Sequence, residues 1–219
     1  MLGRSSEGST GATIAIIGGA KVADKIQVLR HLSAKVDTIL VGGGMVAAFY
    51  VAKGQSGGAA DVSVEDQSAA MELLESGGAN VVLPADVITT PEFYENSPAS
   101  ICDSTEVPLD GFILDIGPRS ATEYARIISI ADTIIWNGPM GVFEWTEFAK
   151  GSVAVANAVA DNKKSTSVIG GGSTTEIVGS LGLVNKITHV STGGGASLEF
   201  LEGKILPGVA AIPDARYFY

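Results

Sequence analysis

Two lysines four residues apart, Lys21 and Lys25, follow directly on the small-residue run Gly18-Gly19-Ala20. Residues at that spacing share one face of a helix. At a helix start their charges oppose the positive end of the helix dipole, which prefers anions. The placement costs stability unless an anion lies between the amines, so the pair points to phosphate chemistry. The alternative is a solvated helix face with Asp24 as local partner. Three further apolar runs end in glycine clusters, at Gly42-Gly43-Gly44, Gly170-Gly171-Gly172 and Gly193-Gly194-Gly195, and a fifth breaks at Asn137-Gly138-Pro139-Met140-Gly141. Glycine lets the main chain approach a ligand closely, and amides at a helix start bind anions. One such turn is explained by tight packing. Five together point to a phosphate-bearing ligand.

Elements must hold these turns in place. Thr13 to Ile17 is a short β-branched run of the kind expected in a buried parallel strand. Val22, Ile26, Leu29 and Leu32 then recur at helical spacing. Further strands are expected at Thr38 to Val41, Val81 to Leu83, Phe112 to Ile116, Thr133 to Trp136, Ser167 to Ile169 and Ile187 to Val190. Helices are expected at Met45 to Ala52, Ser63 to Glu75, Ser120 to Ala131, Thr146 to Val159, Ser173 to Leu181 and Ala196 to Glu202. Pro84 to Asp110 is the least regular stretch. Alternating strands and helices imply βαβ units: an α/β fold with a three-layer α/β/α open parallel sheet, Rossmann-like. In such a sheet all the glycine turns gather along one edge, where ligands bind. Residues 1–12 are expected to be a flexible segment and 13–219 one domain.

Composition narrows the classes. The 219 residues include 46% hydrophobic and 17% charged side chains, which excludes disorder. A net charge of −10 argues against a nucleic-acid partner. No apolar run reaches the ~20 residues of a membrane helix. Cys102 stands alone, so no disulfide framework or cysteine zinc cluster is expected, and a reducing cytoplasmic setting is the default. The opening stretch has neither a signal-peptide core nor transit-peptide arginines. Known phosphate loops fit poorly: no G-x-x-x-x-G-K-[ST] string occurs. A G-x-G-x-x-A pattern at Gly42, Gly44 and Ala47, with Asp61 and Glu65 at the spacing of a ribose acid, keeps a nicotinamide dehydrogenase as an alternative.

Taken together, IIGGAKVADKIQVLRHL (Ile16 to Leu32), LVGGGM (Leu40 to Met45), TIIWNGPMGVFEW (Thr133 to Trp145), SVIGGGST (Ser167 to Thr174) and THVSTGGGASLEFLEGKILPGV (Thr188 to Val209) resemble the C-terminal, nucleotide-binding domain of phosphoglycerate kinase. The resemblance implies ATP or ADP as substrate with Mg²⁺, in reversible phosphoryl transfer between 1,3-bisphosphoglycerate and ADP. By the resemblance, Lys21 steadies the phosphoryl group in flight and Lys25 holds nucleotide phosphates. Gly18, Gly19, Ala20, Gly42, Gly43, Phe93, Leu114, Gly141 and Val142 match positions lining the adenine pocket. Asn137 and Pro139 match nucleotide contacts, Glu144 the ribose carboxylate, and Thr174 a phosphate contact beside Gly172. Gly193, Gly194 and Gly195 match the helix start that faces the transferred phosphate. The family's acceptor is a carboxylate, already nucleophilic at neutral pH, so no general base is required. That suits a chain with two histidines: His31, expected at the surface of a helix, and His189, expected to be buried in its apolar strand.

Two departures stand out. The family commonly has an aspartate that ligates the nucleotide-bound magnesium where this sequence has Ser173. A neutral hydroxyl offers Mg²⁺ less charge compensation, so weaker metal dependence or weaker nucleotide binding is expected. The second is the family's N-terminal domain, which supplies the 3-phosphoglycerate site and an arginine for the transferred phosphate. Nothing in this sequence corresponds to it. A fragment, a split gene product and an independent descendant all remain open, as does a regulatory or vestigial nucleotide-binding role. A monomer is expected, binding nucleotide but inactive without the other domain.

Overall fold

The structure is a computed structural model and describes residues 11–191 and 193–212. Six parallel strands form the main sheet: β1 (Thr13–Gly18), β2 (Thr38–Gly42), β3 (Asn80–Val82), β7 (Thr133–Asn137), β8 (Thr166–Gly170) and β9 (His189–Val190), in the order β3-β2-β1-β7-β8-β9. The intervening labels belong to a second sheet of three antiparallel strands, β4 (Asp86–Thr90), β5 (Ser100–Asp103) and β6 (Phe112–Ile116), ordered β5-β4-β6. The helices are α1 (Ile26–Ser33), α2 (Val46–Ala52), α3 (Val64–Glu75), α4 (Pro118–Ser129), α5 (Lys150–Asp161), α6 (Gly172–Ser180), α7 (Gly194–Leu201) and the short α8 (Pro207–Ala210).

Successive residues of a strand face opposite sides of the sheet, and here both sides are covered. Ile14, Ile16, Leu40, Ile134, Trp136 and Ile169 pack under α4, α5 and α6. Ala15, Ile17, Ile39, Val41 and Ile135 pack under α1, α2, α3 and α7. Double burial is why these strands read as unbroken apolar runs. The expected three-layer α/β/α architecture is therefore present, and its core splits into two layers either side of the sheet. Among the described residues no helix is long and apolar enough to cross a membrane.

Four local expectations need correction. The strand Phe112–Ile116 does not join the parallel sheet; β6 pairs antiparallel with β4, Val87 opposite Ile116. An apolar five-residue run marks a buried strand but not its partner. Second, the irregular stretch after Pro84 contains β4 and β5, whose polar residues (Asp86, Thr89, Thr90, Ser100, Asp103) hide the alternation. Third, two expected helices begin as 3-10 turns, Ala23–Lys25 before α1 and Thr146–Phe148 before α5. Lys21 lies before the 3-10 turn and Lys25 at the joint to α1, where its φ is −120°, so the two do not share a helix face. Fourth, His189 is exposed: β9 is a two-residue edge strand. His31, expected at the surface, is half-buried beneath Gly203. The proposed flexible segment 1–12 lies outside the described residues except for Gly11 and Ala12, and the Ala12 carbonyl accepts from the Asp132 and Thr133 amides at 2.8 and 3.2 Å.

Candidate functional site

Parallel pairing sets the strand ends side by side: Gly18 opposite Gly42, Ile17 opposite Asn137, and Asn137 opposite Gly170. The turns that follow are stitched together by main-chain bonds. Gly43 N–H donates to the Met140 carbonyl at 2.8 Å, and Met45 N–H to the Gly19 carbonyl at 2.9 Å. The Asn137 amide group donates to Gly170 O at 3.0 Å. Close approach explains the glycines. A Cβ on Gly18 would overlap the Pro139 carbonyl, and Gly138, at φ +94°, lies against the Gly18 carbonyl where any Cβ would collide.

Lys25 reaches into this seam. Its ammonium donates to Gly18 O at 2.5 Å, Asn137 Oδ1 at 2.6 Å and Asn137 O at 3.3 Å, tying the end of β1 to that of β7. Burial pulls its pKa down to about 8, against the opposing pull of Asp24. Lys21, by contrast, is exposed on the loop between β1 and the 3-10 turn, beside Ala20, Asp61 and Asp66. The two lysines therefore differ in kind: one is held by protein oxygens, the other projects toward solvent.

Two helices begin on the same edge. α6 follows Gly171 at φ +96° and α7 follows Gly193, and neither has a side-chain cap. Uncapped first-turn amides attract anions. The α7 turn leans on the β8 end, since a Cβ on Gly170 would sit 3.1 Å from Ser197 Cβ. Within α6, Thr174 is fully buried and its hydroxyl accepts from Gly138 N–H at 2.7 Å. Ser173 is exposed at the helix start. Among the described residues no group of three or more His, Cys, Asp or Glu could hold a metal ion. A lone neutral hydroxyl does not make a magnesium site of its own, because Mg²⁺ takes hard oxygen ligands and its protein ligands are usually carboxylates.

A second group of predicted residues lies further along the same turn. Val142 N–H donates to Leu114 O at 2.8 Å, and Gly141 rests directly on Leu114 and Asp115. Phe93, 58% exposed, packs against Trp145 with ring centroids 5.2 Å apart and Phe112 at 6.0 Å, the rings inclined at 58° and 67°, an aromatic cluster next to this group. Glu144 is exposed between Phe143 and Trp145. The structure thus brings Gly18, Gly42, Gly43, Lys25, Asn137, Pro139 and Thr174 into one interlocked edge, and Leu114, Gly141 and Val142 into an adjoining wall. The stretch from Gly138 to Trp145 connects them.

Three features escaped the sequence reading. Asp115 is a buried carboxylate accepting from Gly151 N–H at 2.7 Å and Ile116 N–H at 2.9 Å, which fixes the start of α5 against β6. Desolvation raises its pKa to about 7, opposed by those two amides and Lys150. Its signal was a single charge inside the apolar FILDI run. The Lys25–Asn137 bond had no local signal, joining residues 112 positions apart. Finally, clefts of about 380 and 350 Å³ flank α7, lined by Ile135, Phe200, Leu201 and Leu206. Of the predicted site residues only Gly193 borders them.

The dehydrogenase pattern finds no support in this geometry. It requires a ribose carboxylate at the end of the strand after the glycine turn, and β3 instead ends at Val82, with Leu83 and Pro84 next. Asp61 sits on a loop and Glu65 in the first turn of α3.

Known proteins give the same picture. A sequence model of phosphoglycerate kinase matches residues 1–204. The phosphoglycerate kinase of Lacticaseibacillus casei is 48% identical over 202 residues, covering 92% of this chain and 50% of the relative. That of Enterococcus faecalis is 45% identical over 213 residues, covering 97% and 54%. Among solved structures, phosphoglycerate kinase from Coxiella burnetii superposes with a TM-score of 0.89 at 39% identity, covering 95% of this chain and 55% of that one. The enzyme from Pyrococcus horikoshii OT3 gives 0.80 at 34%, covering 96% and 54%. The chain spans about half the length of the curated relatives it matches. With strand ends, glycine turns and lysines arranged as described, and a family match running through nearly all of them, this chain belongs to the phosphoglycerate kinase family.

Proposed function

We propose that the chain binds ATP or ADP along the glycine edge, as the nucleotide-binding half of a phosphoglycerate kinase. The observation that carries this reading is the convergence of the β1, β2, β7 and β8 turns, two uncapped helix starts and two lysines on one sheet edge. Phosphoryl transfer needs positioning and charge neutralisation more than covalent help from the protein. Phe93, Leu114, Gly141 and Val142 take the adenine, and Glu144 the ribose hydroxyls. Lys25 leaves Asn137 Oδ1 for a phosphate oxygen, and Lys21 follows the transferred group toward the α7 amides at Gly193 to Gly195. Thr174 supports the edge through Gly138 and meets phosphate only if that bond opens. Magnesium is not fitted by Ser173, and no step is assigned to it.

The acyl-phosphate partner, 3-phosphoglycerate in the reverse direction, requires surface this chain does not supply, so the isolated chain binds nucleotide without turnover. A cytoplasmic monomer with no nucleic-acid or membrane partner goes with this reading. Ser173 in place of an acid favours a second one, a regulatory or vestigial module; Lys21→Ala would then leave the protein's role intact. Thermal unfolding tests binding and class together. ADP at millimolar concentration is expected to raise the midpoint and NADH is not; protection by NADH alone would overturn the proposal.

A further inference from the structure

The loop that carries Lys21 is held from a distance. Asp66 lies on α3, 43 residues beyond Ala23, yet its Oδ1 accepts from the Ala23 amide at 2.7 Å. Its Oδ2 accepts from the Ser63 hydroxyl at 2.7 Å, while Ser63 Oγ in turn accepts from Asp66 N–H at 3.0 Å. In an ordinary capping box the third-position acid turns back to the N-cap's own amide. Here that acid divides its oxygens, one on its own helix start and one on a remote turn. The remote turn needs it, because the 3-10 segment Ala23–Lys25 has no side-chain cap from its own N-cap residue.

Asp66 is buried, and with Lys21, Ala20 and Asp61 it lines a small hollow at the foot of the glycine edge. Burial pushes its carboxyl upward, but the Ala23 and Val22 amides, the Ser63 hydroxyl and the Lys21 charge outweigh this, holding it below the usual carboxylate range. The carboxylate therefore stays ionised beside a loop whose one exposed cation is Lys21.

We propose that Asp66 is a positioning residue: by gripping the amide of Ala23 it fixes the Ala20–Ala23 loop and so aims Lys21 at the terminal phosphate of a bound nucleotide. This rests on the nucleotide reading above. Asp66 touches no ligand in this account and acts only through Lys21.

A double-mutant cycle tests it on the full chain. A non-hydrolysable ATP analogue and AMP are titrated into wild type, Asp66→Asn, Lys21→Ala and the double variant, with Asp66→Glu as the charge-keeping control. The expected result is about a fivefold loss of affinity for the ATP analogue in Asp66→Asn, with AMP binding unchanged. No further loss is expected when Asp66→Asn is added to Lys21→Ala, and Asp66→Glu should recover part of the affinity. Additive losses, or equal losses for AMP, overturn the proposal by showing general damage. Amide hydrogen exchange over residues 20–25 separates this from failure of the nucleotide reading. If wild type binds neither nucleotide, that reading fails by itself. Faster exchange at 20–25 in Asp66→Asn and Asp66→Glu, with β1 still protected, then supports the grip, and unchanged exchange overturns it.

Discussion

Lys25 carries a charge into a place where burial works against it, and the sign of the consequence is fixed. Its pKa in the fold, about 8, lies below the ordinary lysine value, so between about pH 8 and 10.5 the folded state holds fewer protons than the unfolded one. This residue's contribution to stability therefore rises with pH across that window and is flat below it. A bound phosphate reverses the balance by favouring the ammonium. Nucleotide affinity should accordingly fall as pH rises from 8 to 9.5, with proton uptake on binding, and Lys25→Met should bind weakly at every pH without that slope. Calorimetry in buffers of different ionisation heat measures both; affinity independent of pH in the wild type would contradict the assignment. Asp115 obeys the opposite rule. Its pKa is raised to about 7, so the stability it lends is fully present below about pH 4 and is lost as pH climbs through 7. The span is on the order of 4 kcal/mol. In Asp115→Asn the fall in denaturation midpoint between pH 4 and 7.5 should shrink; an unchanged profile would mean the carboxylate is not the titrating group.

Among the elements, the start of α6 serves structure through one residue and leaves the one before it exposed. Thr174 has its hydroxyl under Gly138, which sets the height of the β7 turn, while Ser173 one residue earlier faces solvent. A carboxylate at that exposed position would add the charge a hard cation needs. Ser173→Asp should therefore make ADP affinity depend on magnesium, by about tenfold on chelation, where the wild type changes by about threefold or less. Titrations with and without chelator check this, and strong metal dependence in the wild type would refute it. The same elements show what a sequence can and cannot display. β1, β2, β7 and β8 were legible because strands buried on both faces must be apolar throughout and because each runs into a glycine-bearing turn. β4 and β5 were not, since their polar residues conceal strand alternation, and β6 looked like its parallel neighbours because pairing direction leaves no local trace. The glycine edge was readable residue by residue. The inward turn of Lys25 was not, being decided by a seam 112 residues away along the chain. Asp66 was hidden for a similar reason: its role lies in contact with a distant loop, while locally Ser63 and Asp66 read as an ordinary helix start.

At the scale of the molecule, the chain spans about half the length of the curated relatives it matches, and it packs around a two-layered core with the glycine edge formed by its own strands. Supplying the other half of a family member in trans should restore phosphoryl transfer to at least a detectable fraction, whereas the chain alone should turn over no 1,3-bisphosphoglycerate. A coupled assay for ATP formation reads both, and turnover by the chain alone would refute the division of labour. Everything turns on whether amides and ammonium groups along that edge grip phosphate. Titrating ADP into the folded wild-type chain and into Lys25→Met at pH 7 asks this directly: saturable binding in the first and at least a tenfold loss in the second are predicted. Absence of heat at millimolar ADP in a folded wild-type sample, or equal affinity in both proteins, would contradict it.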